Sequence, residues 1–232
     1  MTTGSGLFVK QHPRLAHLVR GIGGLKGEVS DLRGDVLDSM APLAAIAVEE
    51  FIDPAAAAST AIKTTVASAT TVEVFEGAAL NGSVGGGVMS PPRNLTITQN
   101  ANADIDAVDV VIEGLDINGD VITDTITMTD GGGATDSGSK AFASVVRITV
   151  PAQSGTAGTF AFGFGPLMGL SQPIKSRAGL AALSHEIALG VVVTTGTVAD
   201  ATVGAPNGTY SPATAQNASN DYAIHYAYDP DP

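Results

Sequence analysis

The residue types able to do chemistry are few in this sequence and they lie far apart. His185-Glu186 opens like a zinc-protease helix, where two histidines one turn apart hold the metal and the glutamate serves as general base. The second histidine would fall at position 189, which is Leu, so the ligand pair is broken and His185 is expected at a core edge or on the surface. His12, His17 and His225 sit in separate segments, and the chain has no cysteine, so no zinc site can be read from the spacing.

Asp116, Asn118 and Asp120 copy the first three ligand positions of a calcium loop. Such a loop then needs Gly at its sixth position for a sharp turn and Glu at its twelfth as a bidentate ligand; here those positions are Val121 and Thr127. Asn118-Gly119 between two alternating runs explains the spacing more simply, as a hairpin turn of type I′. Gly21-Ile22-Gly23-Gly24 follows a helical stretch instead of a strand and lacks the third glycine of a dinucleotide loop. Two glycosidase carboxylates could come from distant positions. A sugar cleft also favours aromatic platforms, however, and this chain has no Trp and only 4 Tyr. The expectation is a protein that is not an enzyme and has no cofactor or metal.

One charge feature remains. Between Ala101 and Asp136 there are nine acidic residues, Asp104, Asp106, Asp109, Glu113, Asp116, Asp120, Asp124, Asp130 and Asp136, and no Lys or Arg. One reading is a solvated sheet face whose charge keeps edge strands from pairing with other chains. The other makes Asp104 to Asp124 a docking face for a basic partner, or a diffuse cation site.

The elements that must position these residues read as β-rich. Ala61 to Val66, Thr70 to Phe75 and Asn94 to Thr98 are expected strands, with a loop at Gly82 to Gly87. Val108 to Met128 is the clearest hairpin. On its return strand Val121, Thr123, Thr125 and Thr127 share a solvated face, while Ile122, Asp124, Ile126 and Met128 share the other. A Gly-rich loop, Gly131 to Gly138, leads into one strand, Lys140 to Val150. Thr159 to Phe164 is a further strand, closed by a Gly165-Pro166 turn. Gly179 to Leu189 reads as a short helix or loop crossing, Val191 to Thr195 as a strand, and Asp221 to Tyr228 as a terminal strand. Short strands at this spacing predict an antiparallel β-sandwich or barrel body.

Ahead of that body, Leu15, Leu18, Ile22, Leu25, Val29, Leu32 and Val36 recur at heptad spacing, as in a helix that buries one seam. The helix either lies on the protein's own body or forms a short coiled coil between identical subunits. Gly21, Gly23, Gly24 and Gly27 weaken it, each by up to about 1 kcal/mol relative to Ala. A second short helix is expected from Leu43 to Phe51, closed by Asp53-Pro54. Residues 1–53 are thus an expected α-helical arm for anchoring or oligomerisation, and 54–232 the β-rich body.

The chain has 232 residues and a net charge of −12, from 23 acidic and 11 basic residues. That field repels nucleic acid, so direct nucleic-acid binding is not expected. Aromatics make up 5% of the chain and Gly occupies 28 positions, so the core is expected to rest on small and β-branched side chains. Lys10, His12, Pro13 and Arg14 interrupt the first apolar stretch, against a secretory leader, and no stretch approaches the ~20 apolar residues of a membrane span. The expectation is a chain with no membrane contact, soluble when made in the cytoplasm.

The run Val110 to Thr127, followed by Lys140 to Pro151 and Gly155-Thr-Ala-Gly-Thr159, resembles a β-module of tailed-bacteriophage virion proteins. Gly208 to Ala215 and Asp221 to Tyr226 look like the closing segment of the same proteins. Together these cover a little under half of the chain. The resemblance implies a particle-bound structural role, most like that of a capsid decoration (cement) protein. Such a protein sits on the outer capsid surface of the virion, binds the major capsid protein and stabilises the capsid, here as an expected homotrimer. A tail-tube or fibre component is the alternative within the resemblance, and a calcium- or carbohydrate-binding β-module is the alternative outside it.

Overall fold

The computed structural model describes residues 45–172, 186–188, 191–193, 197–199 and 208–228. The expected seam Leu15, Leu18, Ile22, Leu25, Val29, Leu32 and Val36 lies outside them, as do His12, His17 and His185.

The described chain is mainly β, in antiparallel sheets. One sheet has four strands in the order β3 (Glu73–Glu76), β8 (Ser144–Val150), β5 (Asp109–Leu115), β6 (Val121–Thr127). The other runs β12 (Thr197–Ala199), β13 (Thr209–Ser211), β9 (Thr159–Gly169), β4 (Arg93–Gln99), β7 (Thr135–Phe142), with β2 (Ala58–Ala67) also paired to β9. Two ribbons complete it: β1 (Ala45–Phe51) with β14 (Tyr222–Tyr228), and β10 (Glu186–Ala188) with β11 (Val191–Val193).

A single hydrophobic cluster draws side chains from both larger sheets. Ile62, Leu95, Ile97, Phe160, Phe162 and Phe164 come from one, and Phe75, Val110, Ile112, Ile122, Ile126 and Ile148 from the other. Period-two alternation supplies them: along β6, Ile122, Asp124 and Ile126 are buried and Val121, Thr123, Thr125 and Thr127 are exposed. A second cluster, Phe51, Met168, Leu170, Tyr210, Tyr222, Ile224 and Tyr226, packs the β1–β14 ribbon against the end of β9.

Five local expectations are corrected. Ala45–Phe51 is a strand, not a helix, because residues 45–51 pair in unbroken register with Tyr228 to Tyr222. The Gly-rich loop ends early, since Thr135 already begins β7. Lys140 to Val150 is two strands, with the chain passing from one sheet to the other at Ala143, whose N–H bonds Leu115 O at 2.7 Å and whose carbonyl accepts from Met89 N at 2.7 Å. Gly165-Pro166 is no turn: it lies inside β9 where the register with β4 shifts between Arg93–Met168 and Leu95–Phe164. An irregularity of this kind accommodates a proline that cannot donate to a ladder, and Asn94 Oδ1 takes the N–H of Leu167 at 2.9 Å instead. The crossing expected up to Leu189 contains a strand at Glu186–Ala188.

Candidate interaction face

The β5–β6 hairpin is closed by a three-residue loop. Asp116 N bonds Asp120 O at 2.9 Å and Gly119 N bonds Asp116 O at 3.2 Å. Gly119 has φ +85, whereas Asn118 is not among the left-handed residues, so the turn is a type I turn followed by a left-handed glycine, not type I′. The Asp116 carboxylate explains that choice: its Oδ1 accepts from Asn118 N at 2.8 Å and Asp120 N at 2.9 Å, fixing the turn from within. This accounts for Asp116 at the turn, whose other oxygen, Oδ2, is buried without a hydrogen-bond partner. Among the described residues no group of three or more His, Cys, Asp or Glu is placed to hold a metal ion.

The remaining acidic residues divide into inward and outward sets. Asp124 is 7% exposed, and its Oδ2 accepts from Ser139 N at 3.1 Å and Lys140 N at 3.2 Å. It thereby ties β7 to β6 where a strand ladder is lacking. Gly138 opposite it has no room for a side chain, since a Cβ would lie 2.3 Å from Asp124 Oδ2. Asp104 Oδ2 takes Ala157 N at 2.8 Å, and Asp136 takes Thr129 N at 2.8 Å together with the Gln99 amide. Asp106 is half-buried, its N–H donating to Gln153 Oε1 at 2.8 Å, and Asp120 is exposed at the hairpin end. Asp104, Asp106, Asp109, Glu113, Asp116, Asp120 and Asp124 therefore do not form one face. Asp116 and Asp124 are buried, and only Asp109 and Glu113 stand on the solvent side of β5.

That solvent side has an ordered pattern of its own. Strand register sets Val74, Thr149, Val111 and Thr125 in one row across the four strands, and Glu76, Arg147, Glu113 and Thr123 in the next. Arg147 bridges Glu76 at 3.1 Å and Glu113 at 3.5 Å, all three half-exposed. Leu115 pairs with Val121 beyond them, and the register between β5 and β8 shifts at this point, leaving Val146 as the extra residue of a bulge. The sequence set Val121 on the solvated face, but Glu76, Arg147, Val74 and Val146 were missed because they join it only through pairing of distant strands.

Three groups shifted by burial lie elsewhere. Arg93 is 2% exposed and spends its guanidinium on carbonyls: Nε and Nη2 on Gly165 O at 2.9 and 2.6 Å, Nη1 on Ala55 O at 2.8 Å. Nη2 also reaches Gln216 Oε1 at 3.3 Å, and the group stacks over the Phe164 ring. Burial lowers its pKa to about 10, against a smaller opposing effect of Tyr222. Tyr226 O–H donates to Glu49 Oε1 at 2.5 Å, which also receives Ser171 N and Oγ; burial first, then this bond and the Glu49 charge, raise the phenol pKa. Glu73 keeps one buried carboxylate oxygen without a partner, and burial raises its pKa against the pull of Lys63.

Comparison with known proteins returns no matching family model, no matching curated protein and no matching solved structure.

Proposed function

We propose that this chain is a non-enzymatic structural protein of a tailed-bacteriophage virion, which decorates the outer capsid surface and stabilises the capsid by binding the lattice of the major capsid protein. The body is a β-sandwich, the two larger sheets being its layers. The N-terminal segment, with its heptad seam Leu15 to Val36, anchors the protein or joins three copies. The observation that carries the reading is the use made of the polar groups. The buried charges Arg93 and Asp124 are spent on the protein's own backbone, as is one oxygen of Asp116, while an ordered sheet face of valines, threonines and an ion-paired row is left to solvent. Buried polar networks of that kind rigidify a scaffold. Exposed apolar rows on a rigid sheet suit contact with another protein.

Light scattering of the purified chain tests the assembly: a trimer is expected, and a stable monomer removes the role of the seam. Electron microscopy of particles carrying a label at Pro232 tests the location. Label on the head is expected; label confined to the tail would replace the decoration role with a tail-tube or fibre role.

A further inference from the structure

We infer that the solvent side of the β3-β8-β5-β6 sheet docks a protein partner whose contact surface sets Lys and Arg side chains between apolar ones; this rests on the assembly role proposed above. The apolar component is visible in four valines of this sheet, Val74, Val111, Val121 and Val146, which are 49%, 36%, 78% and 54% exposed. They follow the strand register, Val74 and Val111 flanking Thr149. Val74 and Val111 lie in one cross-strand row and Val121 beside Leu115 in another, with the Glu76–Arg147–Glu113 row between. Val146 adds a second observation. A bulge gives up regular pairing, and this one turns an extra apolar side chain toward water, where it adds nothing to the core.

Charge selects the partner. Among the described residues, Glu76, Glu113 and Asp109 stand on this face against Arg147, with Lys140 Nζ bonded to Thr123 O at the β6 edge and Asp120 at the hairpin end. A second copy docked face to face would set carboxylate against carboxylate, which is costly, whereas Lys and Arg from another protein would meet complementary charge. Size sets the strength. Four strands at ~4.8 Å and seven residues at ~3.3 Å span roughly 440 Å². A standard interface buries about 800 Å² per partner. A single face therefore binds weakly, and tight attachment comes from several copies engaging together.

Two measurements on the full chain test the face. The first is an NMR titration with a synthetic peptide of alternating Lys and Val. Shifts confined to Val74, Val111, Val121, Val146 and the threonines around them, abolished by high salt, are expected; shifts elsewhere, or none, overturn the proposal. The second is occupancy on phage heads assembled without this chain, comparing wild type with Val111→Lys, Val121→Lys and, just after β1, Ile52→Lys as control. The two face variants are expected to lose at least ~tenfold in occupancy, as central contact residues do, while melting like wild type. Ile52→Lys should keep full occupancy. Face variants that bind like wild type overturn the docking face. A wild-type chain that ignores the heads while the peptide still maps to the valines overturns the decoration role and leaves the face standing. If Val111→Lys does not fold, the more exposed Val121→Lys decides alone.

Discussion

Glu73 and Arg93 show how burial sets the behaviour of a charged side chain. Ionising Glu73 carries a cost, because the desolvation that raises its pKa outweighs the attraction of Lys63. An acid whose folded pKa lies above its unfolded value costs stability once the pH exceeds both, and the cost fades as the pH falls through that raised value. Glu73→Gln should therefore melt at a higher temperature than wild type at pH 7, with the difference vanishing in acid; thermal scans at the two pH values check it. Arg93 behaves differently because its guanidinium holds three segments together: the 55 loop, β9 and the segment at Gln216. Arg93→Met would fill the space but orphan the Gly165 carbonyl and Gln216 Oε1, each worth about 1–3 kcal/mol when left buried and unbonded. Calorimetry should record a fall of roughly 5–15 °C, taking about 2–4 °C per kcal/mol at this chain length. Arg93→Lys should recover little of it, since one ammonium cannot reproduce a planar fork.

At the scale of elements, the strands that were legible in the sequence are those whose burial follows a period of two. Val108 to Met128 announces itself because Val110 and Ile112, then Ile122, Ile126 and Met128, fall on alternate positions of the two strands. β7 does not, because its inward positions include Gly138, which is small so that Asp124 can approach, and only Phe142 at its end is large and apolar. β1 was misread because Leu43 to Phe51 is rich in helix-favouring Ala and Glu, and its strand form is imposed by β14, more than 170 residues away. The acidic stretch was half legible for a related reason. Alternation already set Asp124 beside Ile122 and Ile126, but spacing cannot tell a carboxylate that bonds backbone amides from one that faces water. Asp124 carries a prediction of its own: in Asp124→Ala the amides of Ser139 and Lys140 lose their acceptor. Hydrogen exchange at those two sites, and at Thr125, should accelerate by at least ~tenfold, while amides of the β5–β8 ladder hold their protection. Equal acceleration throughout would mean that Asp124 supports the whole fold and not the β6–β7 seam.

At the scale of the molecule, β1, expected in the N-terminal segment, belongs to the compact unit of the other strands. Ala44–Pro232 is a compact unit by itself. β1 contributes Phe51 to the cluster that buries Tyr222, Ile224 and Tyr226, and Glu49 receives the Tyr226 hydroxyl and both donors of Ser171. Removing residues 1–53 would strip the partner strand from β14 and leave those tyrosines uncovered, at a cost of about 1.5–3 kcal/mol for each large side chain exposed. Removing 1–43 leaves every one of these contacts in place. The two truncations therefore separate folding from assembly. The 44–232 chain should melt within a few degrees of the full chain and keep its amide protection in β14, yet sediment as a monomer and dissociate from particles on dilution. The 54–232 chain should lose protection across β14 and aggregate through the exposed ribbon. If 44–232 stays trimeric, the seam at Leu15 to Val36 is not what joins the subunits, and the contacts must be sought on the body. If it unfolds, residues before Ala44 contribute to the core.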